Sequence, residues 1–551
     1  MKPIKETNLE RALITNDSEF KVFFDSVGID NRRFVRGKIS HYPRKIQRII
    51  IGRYSKEATP FLANTWLREL TEKLDAIIPA ILLNYFDATE QEIREVAEDM
   101  AEHCRNYQIR QNRVYSITAV SVIKSDVTQE GIYNWCAGFV NGKGLNAPQV
   151  NTKQSLEGCI KRMQDKGWWL KKLRKLLTQK TEEVLIHLEQ VTRLKGIYCS
   201  DLTAINRKYL KQEQLEMLKK LSMTNELGEN FTLYDIYEVN VSNPTIRRNE
   251  LMTRMRGFED TSNELGHLGI FVTLTCPSKY HNAYSKSGQR NPKWQGLTPY
   301  DGQQYLCNTW AKIRAEFARQ GIRAYGLRVV EPQHDGTPHW HMMLFIEKEY
   351  AESFKSIIER YSFEEDGDEK GAAENRCDFK FIDPKKGSAT GYIAKYVSKN
   401  IDGKDLDKGI YGEDPIMAAQ RVEAWASCWG IRQFQQIGGA SVTVWRELRR
   451  LRKVVAGDET LSKLTQSADS GDWAMYTKLM GGVFCMRKEQ VIRPYYEMVV
   501  NKTTGLIKTS WFDGLITSKL KGILYQGKEI ITRVHEWRLE LCSGKDALAA
   551  V

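Results

Sequence analysis

The sequence predicts an α+β protein. Its centre is an antiparallel, ferredoxin-like sheet with helices on one face, flanked by a mainly helical N-terminal region and a small α+β C-terminal region. Three observations predict this. Between Gly269 and Asn400 the segments alternate as strand, helix, hairpin, helix, strand, helix, the order of a split βαβ sheet. Before Gly269, apolar residues recur at the three- and four-residue steps of helices. After Gly438-Gly439, helix and strand signals alternate in short pieces.

At 551 residues the chain exceeds one ordinary core. Its composition divides it into a mixed, mainly helical region (1–120), a basic helical region (121–260), the sheet domain (261–455) and a small appended domain (456–551). Apolar content of 41% and 13 tryptophans exclude a mostly disordered chain. A net charge of +13 and a pI near 9.0 favour a polyanionic partner, nucleic acid ahead of a membrane surface. The 10 cysteines contain no CxxC pair, which argues against a disulfide framework and for reduced thiols. Met1 to Glu6 lacks the apolar run of a signal peptide. The most apolar segment, Leu74 to Phe86, is broken by Asp75, Pro79 and Asn84, so it reads as a buried helix and turn. A soluble, intracellular protein is expected.

Taken in order, Thr65–Leu70 and Glu90–Cys104 carry helical periodicity, with Glu95, Glu98 and Glu102 on a solvated face. In the helix after Gly167, an apolar stripe of Leu170, Leu173 and Leu177 opposes Lys171, Lys172 and Arg174. Basic residues beside Trp168 and Trp169 suit both a phosphate backbone and stacked bases, so these three cations are candidate DNA contacts. Leu210–Leu221 and Thr245–Arg256 are further helices. The central domain opens with the strand Phe271–Thr275, ended by Pro277, and continues with a helix over Gln303–Gln320. Tyr325–Val330 and His339–Ile346 form a hairpin around the turn Pro332–Pro338. Next come a helix over Tyr350–Tyr361, a solvated acidic loop over 364–369, a strand over Cys377–Ile382 and the helix Tyr392–Asn400. Trp425 and Trp429 share a helix face that reads as core. Val444–Lys453 is a strongly basic helix, and its Arg446, Arg449 and Arg450 are further candidate DNA contacts.

The chemistry concentrates between Glu331 and Asn400. His339 and His341, two apart on a strand, point to one face. If the hairpin closes, Glu331 faces them and completes a three-ligand site suited to Mg²⁺ or Mn²⁺, one that would also hold zinc. His334, in the turn, is a further candidate ligand. Tyr392 and Tyr396, four apart on a helix, also share a face, and each precedes a lysine by three residues (Lys395, Lys399). A phenol is only about 0.1% ionised at neutral pH. A metal-polarised phosphate and a nearby ammonium are what its attack requires. Together the two pairs point to a nuclease that cuts DNA by attaching itself to it.

The strand Phe271–Ser278, the run Glu331 to His341 and the Tyr392/Tyr396 helix resemble the phage replication gene A proteins, rolling-circle initiators with the HUH endonuclease fold. Arg254–Glu259 and Trp425–Arg450 are similar to that family's flanking segments, so the resemblance covers roughly 160–455. It implies that residues 261–455 are an HUH endonuclease domain that nicks one strand at the phage origin. Tyr392 and Tyr396 are then the nucleophiles, leaving a 5′-phosphotyrosyl link and a free 3′-OH primer and religating after one round. His339 and His341 become metal ligands, with Glu331 and His334 competing as the third. Lys395 and Lys399 position the phosphate or assist the leaving oxygen, while Thr273 and Thr275 support the ligands. The implied partners are origin DNA and the host's replicative helicase and polymerase, in the bacterial cytoplasm, with no membrane. No GxxxxGK[ST] loop occurs, which fits a borrowed motor. The alternatives are an HUH transposase or relaxase, a hydrolase using water, and a DNA-binding protein without catalysis.

Overall fold

The computed structural model describes residues 17–79, 82, 88–117, 125–383, 385–404, 411–451, 458–501 and 504–541. The chain forms two compact units. One comprises the chain up to Glu189 together with Met498–Thr517, the other Gln190–Glu497 and the chain from Ser518 onward.

The first unit is built on helices, among them α1 (Glu90–Ile117) and α2 (Lys166–His187). Ala97, Ala101 and Cys104 of α1 are fully buried at the helical period, against Ile132, Cys136, Trp169 and Leu173. Asp165 caps α2 by accepting from Trp168 N at 2.6 Å. The acidic ridge of α1 faces outward, with Glu98 paired to Arg105 and Lys166 at 2.6 and 3.2 Å. In the returning segment, Asp513 accepts two hydrogen bonds from the Arg162 guanidinium. Leu74 is buried on the helix Pro60–Ile77, while most of 80–87 lies outside the described residues.

In the second unit, α3 (Asp201–Lys220) leads into β1 (Leu221–Asn225) and β2 (Asn230–Thr232), and then α4 (Pro244–Leu265). Helix α4 is longer than the Thr245–Arg256 expected, because Phe258, Thr261 and Ser262 prolong its buried face up to the left-handed Gly266. The central elements follow as β3 (Leu268–Thr275), α5 (Pro299–Arg319), β4 (Tyr325–Pro332), β5 (Pro338–Ile346), α6 (Ala351–Ser362), β6 (Cys377–Phe381) and α7 (Ala389–Ile401). Next are α8 (Pro415–Trp429) and β7 (Phe434–Ile437). The five strands form one antiparallel sheet in the order β6-β3-β5-β4-β7.

The expectation of helices on one face needs correction: both faces are covered. On one, Trp340 Nε1 of β5 donates to Gln303 Oε1 of α5 at 3.1 Å, and Phe317 of α5 stacks on Phe354 of α6. On the other, Phe271, Leu327, Val329, Met343 and Phe345 share a core with Met255 and Phe258 of α4 and Ile393 and Val397 of α7. The reason lies in the strands themselves, whose near-continuous apolar runs need cover on both sides.

Helices α9 (Val442–Leu448), α10 (Glu459–Ser470) and α11 (Trp473–Leu479) add Trp445, Leu464, Trp473 and Tyr476 to that second core. Two smaller sheets complete the unit. One joins β8 (Ile492–Met498), β9 (Ser518–Tyr525) and β10 (Lys528–Ile531), and the other pairs β1 with both β2 and β11 (Trp537–Leu541). The expected basic helix over Val444–Lys453 stops at Leu448. Short three-residue bonds, Arg450 N to Glu447 O and Leu451 N to Leu448 O, close it, so Arg449 and Arg450 follow the helix. No helix among the described residues is long and apolar enough to cross a membrane.

Trp340 is fully buried and its indole N–H is satisfied. Trp340→Ala is expected to cost about 3–5 kcal/mol of stability in urea denaturation of the intact chain.

Candidate active site

Strand register builds the site. Pairing of β4 with β5 sets Glu331 opposite His339 and Val329 opposite His341. Pairing of β3 with β5 sets Thr275 opposite His339 and Thr273 opposite His341. The hairpin closes through Gln333–Thr337, where Gly336 takes φ +83° and a Cβ would sit 3.0 Å from Tyr198 O. Trp425 Nε1 holds that turn by donating to Gly336 O at 2.8 Å. Trp425 and Trp429 are both core, as their spacing predicts.

Three ligand-capable atoms therefore converge. The Nε2 atoms of His339 and His341 lie 2.7 Å apart, and Glu331 Oε2 is 3.8 and 3.4 Å from them. At 2.7 Å, two imidazole nitrogens either share a proton or face a common cation. Thr273 Oγ1 stands 3.2 Å from His341 Nδ1, where it can fix the ring's orientation from behind. His339 Nδ1 is buried without a hydrogen-bond partner. Two imidazoles and one carboxylate within 4.8 Å of one another could hold a divalent metal ion.

Glu331 has no exposed surface. Burial alone would raise its carboxyl, but the Lys399 ammonium at 3.1 Å and the two imidazoles hold it well below the usual carboxylate range. Asn400 Nδ2 donates to its other oxygen at 2.5 Å and to Tyr396 O at 2.7 Å. Burial, reinforced by His341, pushes His339 well below its ordinary value and keeps it neutral, as a ligand must be.

The helix carrying Lys399 and Asn400 also carries the tyrosines. Its N-terminus is fixed by Glu259 of α4, which accepts from Ala389 N, Thr390 N and Thr390 Oγ1 at 2.7, 3.1 and 2.5 Å. The Tyr396 ring lies 4.1 Å from the His341 ring, and Tyr392 stands one turn away at 6.3 Å from Tyr396. Phe271 touches all three, with centroids 5.5 Å from His341, 4.6 Å from Tyr392 and 5.1 Å from Tyr396. Burial, then Tyr392 and Glu331, raise the Tyr396 phenol above its usual range.

The two lysines separate. Lys395 is exposed and sits 4.9 Å from the centroids of both tyrosine rings, while Lys399 is buried against Glu331 and the Tyr198 ring. His334 stands apart from the three converging groups. It is buried in the turn with its ring 6.1 Å from that of Tyr411, and its main-chain oxygen accepts from Tyr198 N.

Among the candidate DNA contacts, Arg174 is paired with Glu90, Lys172 lies 5.5 Å over Trp168, and Lys171 is exposed. Arg446 is held by Glu250 at 2.7 and 2.9 Å, Arg450 lies 3.7 Å from Glu447, and Arg449 is exposed. Sequence reasoning missed Asn400 and the Glu259 anchor. Asn400 follows Tyr396 by four residues, a one-turn spacing that could have drawn attention to it.

Fold and site thus define a class: an α+β protein with a candidate divalent-metal centre beside a pair of phenols. Comparison with known proteins is more particular. The model of the bacteriophage replication gene A protein family matches residues 91–404, and the chain belongs to that family. This match begins well before residue 160, where the resemblance read from the motifs starts, and takes in α1 and α2. The chain is 42% identical over 431 residues to the replication gene A protein of Escherichia phage 186, covering 74% of this chain and 61% of that protein. It is 37% identical over 455 residues to a probable replication protein of Pseudoalteromonas phage PM2, covering 78% of this chain and 70% of that one. A probable replication endonuclease from a prophage-like region of Salmonella typhimurium is 35% identical over 356 residues, 62% of this chain and 44% of the relative. The chain therefore matches less than two-thirds of the length of the first and third of these relatives. No solved structure matches it.

Glu331→Gln is expected to abolish measurable Mn²⁺ binding, followed by the electron paramagnetic resonance signal of the free ion. Thr273→Val, which removes the hydroxyl behind His341, is expected to weaken binding about tenfold.

Proposed function

We propose that this chain initiates rolling-circle DNA replication as a site-specific single-strand endonuclease and strand transferase acting through its tyrosines. The observation that carries the reading is the convergence of His339, His341 and Glu331 beside Tyr396, with Tyr392 one turn away on the same face. Family membership supports it. The reading of the sheet as a ferredoxin-like HUH domain draws support from the order β6-β3-β5-β4, all antiparallel, with α5 and α6 as crossovers.

In the proposed step, the phenol oxygen of one tyrosine bonds to the scissile phosphorus as the bond from phosphorus to the 3′-oxygen breaks. The phenol loses its proton, the leaving oxygen gains one, and the 5′-phosphate stays on the tyrosine. The freed 3′-OH primes synthesis, and the second tyrosine cuts the regenerated origin so that the reverse reaction closes a circle. A divalent ion bound by His339, His341 and Glu331, Mg²⁺ or Mn²⁺, would polarise the phosphate. Lys399 keeps Glu331 ionised in its buried position. Lys395, exposed over both rings, is the ammonium at the nucleophiles. A host helicase unwinds the duplex ahead of the host polymerase, which extends the primer, in the bacterial cytoplasm.

Labelled single-stranded DNA carrying the origin, incubated with Mn²⁺ or Mg²⁺, is expected to give a labelled band at the size of the protein on a denaturing gel. That band is expected to vanish with EDTA and in the Tyr392→Phe/Tyr396→Phe double variant, while the single variants show which tyrosine leads. Cleaved DNA without an adduct would assign the attack to water, and binding without cleavage would leave a DNA-binding protein. Because Tyr396 is raised above its usual range, it is protonated at neutral pH. Its single-turnover adduct formation is expected to climb with pH up to about 9 without a plateau.

A further inference from the structure

The second unit carries a cavity of about 1320 Å³ along its edge strand β7, walled by α4, α9 and the segment 483–496. Its lining holds seven arginines and one lysine, against one carboxylate among the described residues, Glu250. Glu250 is committed to Arg446 at 2.7 and 2.9 Å and lies 3.6 Å from Arg254. Arg432, Arg487 and Arg493 are exposed, and none has a carboxylate partner among the described residues. The Nε of Arg247 is buried there without a hydrogen-bond partner. So many like charges in one concavity create a strong positive potential that a polyanion would relieve.

Two observations say which polyanion. Tyr496 lines the cavity with 53% of its surface exposed. A ring inside a cationic groove stacks on unpaired bases, which a duplex does not offer. The groove also adjoins the cleavage site. Gln433, at its β7 end, donates from Nε2 to Asn400 O at 3.4 Å, and Asn400 Nδ2 donates to Glu331 at 2.5 Å. Val330 N, next to Glu331, donates to Gln433 O at 2.8 Å.

We propose that this groove carries the sugar–phosphate backbone of the unpaired DNA strand adjoining the cleavage position, with Tyr496 stacking on one of its bases. Its connection to cleavage rests on the nuclease reading above; its affinity for single strands does not.

The test is fluorescence anisotropy of a labelled, mixed-sequence single strand binding to the full chain. It is run in EDTA on the Tyr392→Phe/Tyr396→Phe background, so that nothing is cut, with salt varied from about 50 to 200 mM. Adding Arg432→Ala/Arg487→Ala/Arg493→Ala is expected to weaken binding at least tenfold at low salt. It should also make the dependence of log Kd on log salt shallower by about 2, three lost contacts at about 0.7 each. Tyr496→Ala is expected to weaken binding about five- to a hundredfold and leave the salt slope unchanged. A control triple at exposed lysines elsewhere in the unit, Lys286→Ala/Lys348→Ala/Lys519→Ala, is expected to keep the parent affinity and slope. An unchanged thermal midpoint checks that the arginine triple is folded. The proposal is overturned if the arginine triple binds with the parent's affinity and slope, or if the control triple loses as much. Adduct formation with the tyrosines intact separates the two readings. An adduct together with a silent arginine triple sinks the groove alone; a weakened triple without an adduct sinks the nuclease alone.

Discussion

A carboxylate with no contact to water is the constraint around which the centre of this protein is arranged. An ion in a low-dielectric interior is tolerable only when opposite charge and hydrogen bonds replace its lost hydration. Glu331 meets that condition with Lys399 and Asn400, both from α7, and with the imidazoles of β5. The helix and the hairpin are therefore not independent pieces. Removing Lys399 would leave a buried anion, and removing Glu331 would leave a buried ammonium and cost the Asn400 amide one of its two acceptors. Asn400, which donates to Glu331, also donates to Tyr396 O, and the ring of Tyr396 lies 4.1 Å from that of His341. With Lys399 already neutralising the carboxylate, a bound divalent ion would leave the centre net positive, an excess that an anionic phosphodiester would reduce.

Around that centre the frame is aromatic and apolar. Phe271 acts as a spacer, with one face against His341 and Tyr396 and an edge toward Tyr392. Behind it the core runs without a break from β3 through β4 and β5 into α4, α7 and the helices after Val442. Dense interiors transmit small displacements, so a change far from the histidines, such as loss of Trp445 or Trp473, would reach the site by altering the seat of α7.

The legible parts of the sequence were those governed by short-range geometry. The two histidines face one side because strand side chains alternate, and a short turn brought Glu331 opposite them. The tyrosine helix was legible from its spacing. What escaped depended on partners distant in the chain. Lys399 and Lys395 occupy equivalent positions in two copies of one motif, yet one is buried and the other exposed, because only the former reaches Glu331, 68 residues away. Arg446 reads as a free cation until Glu250, 196 residues earlier, is seen to grip it. Glu259 sits within a family-like segment, but nothing local tells that it caps a helix 130 residues later. Cover on both faces of the sheet was signalled by the unbroken apolar runs of β3 and β5, and the order of elements hid it.

Helix α7 is clamped at both ends, by Glu259 at its start and by Glu331 near its finish. A rod fixed in this way does not slide along its axis. Its two phenols are then marks on a stationary ruler, four residues apart, a rise of about 6 Å along the axis. If they take alternate turns at one phosphate, the travelling part is the nucleic acid, advancing by the spacing of the two rings, while the protein keeps still.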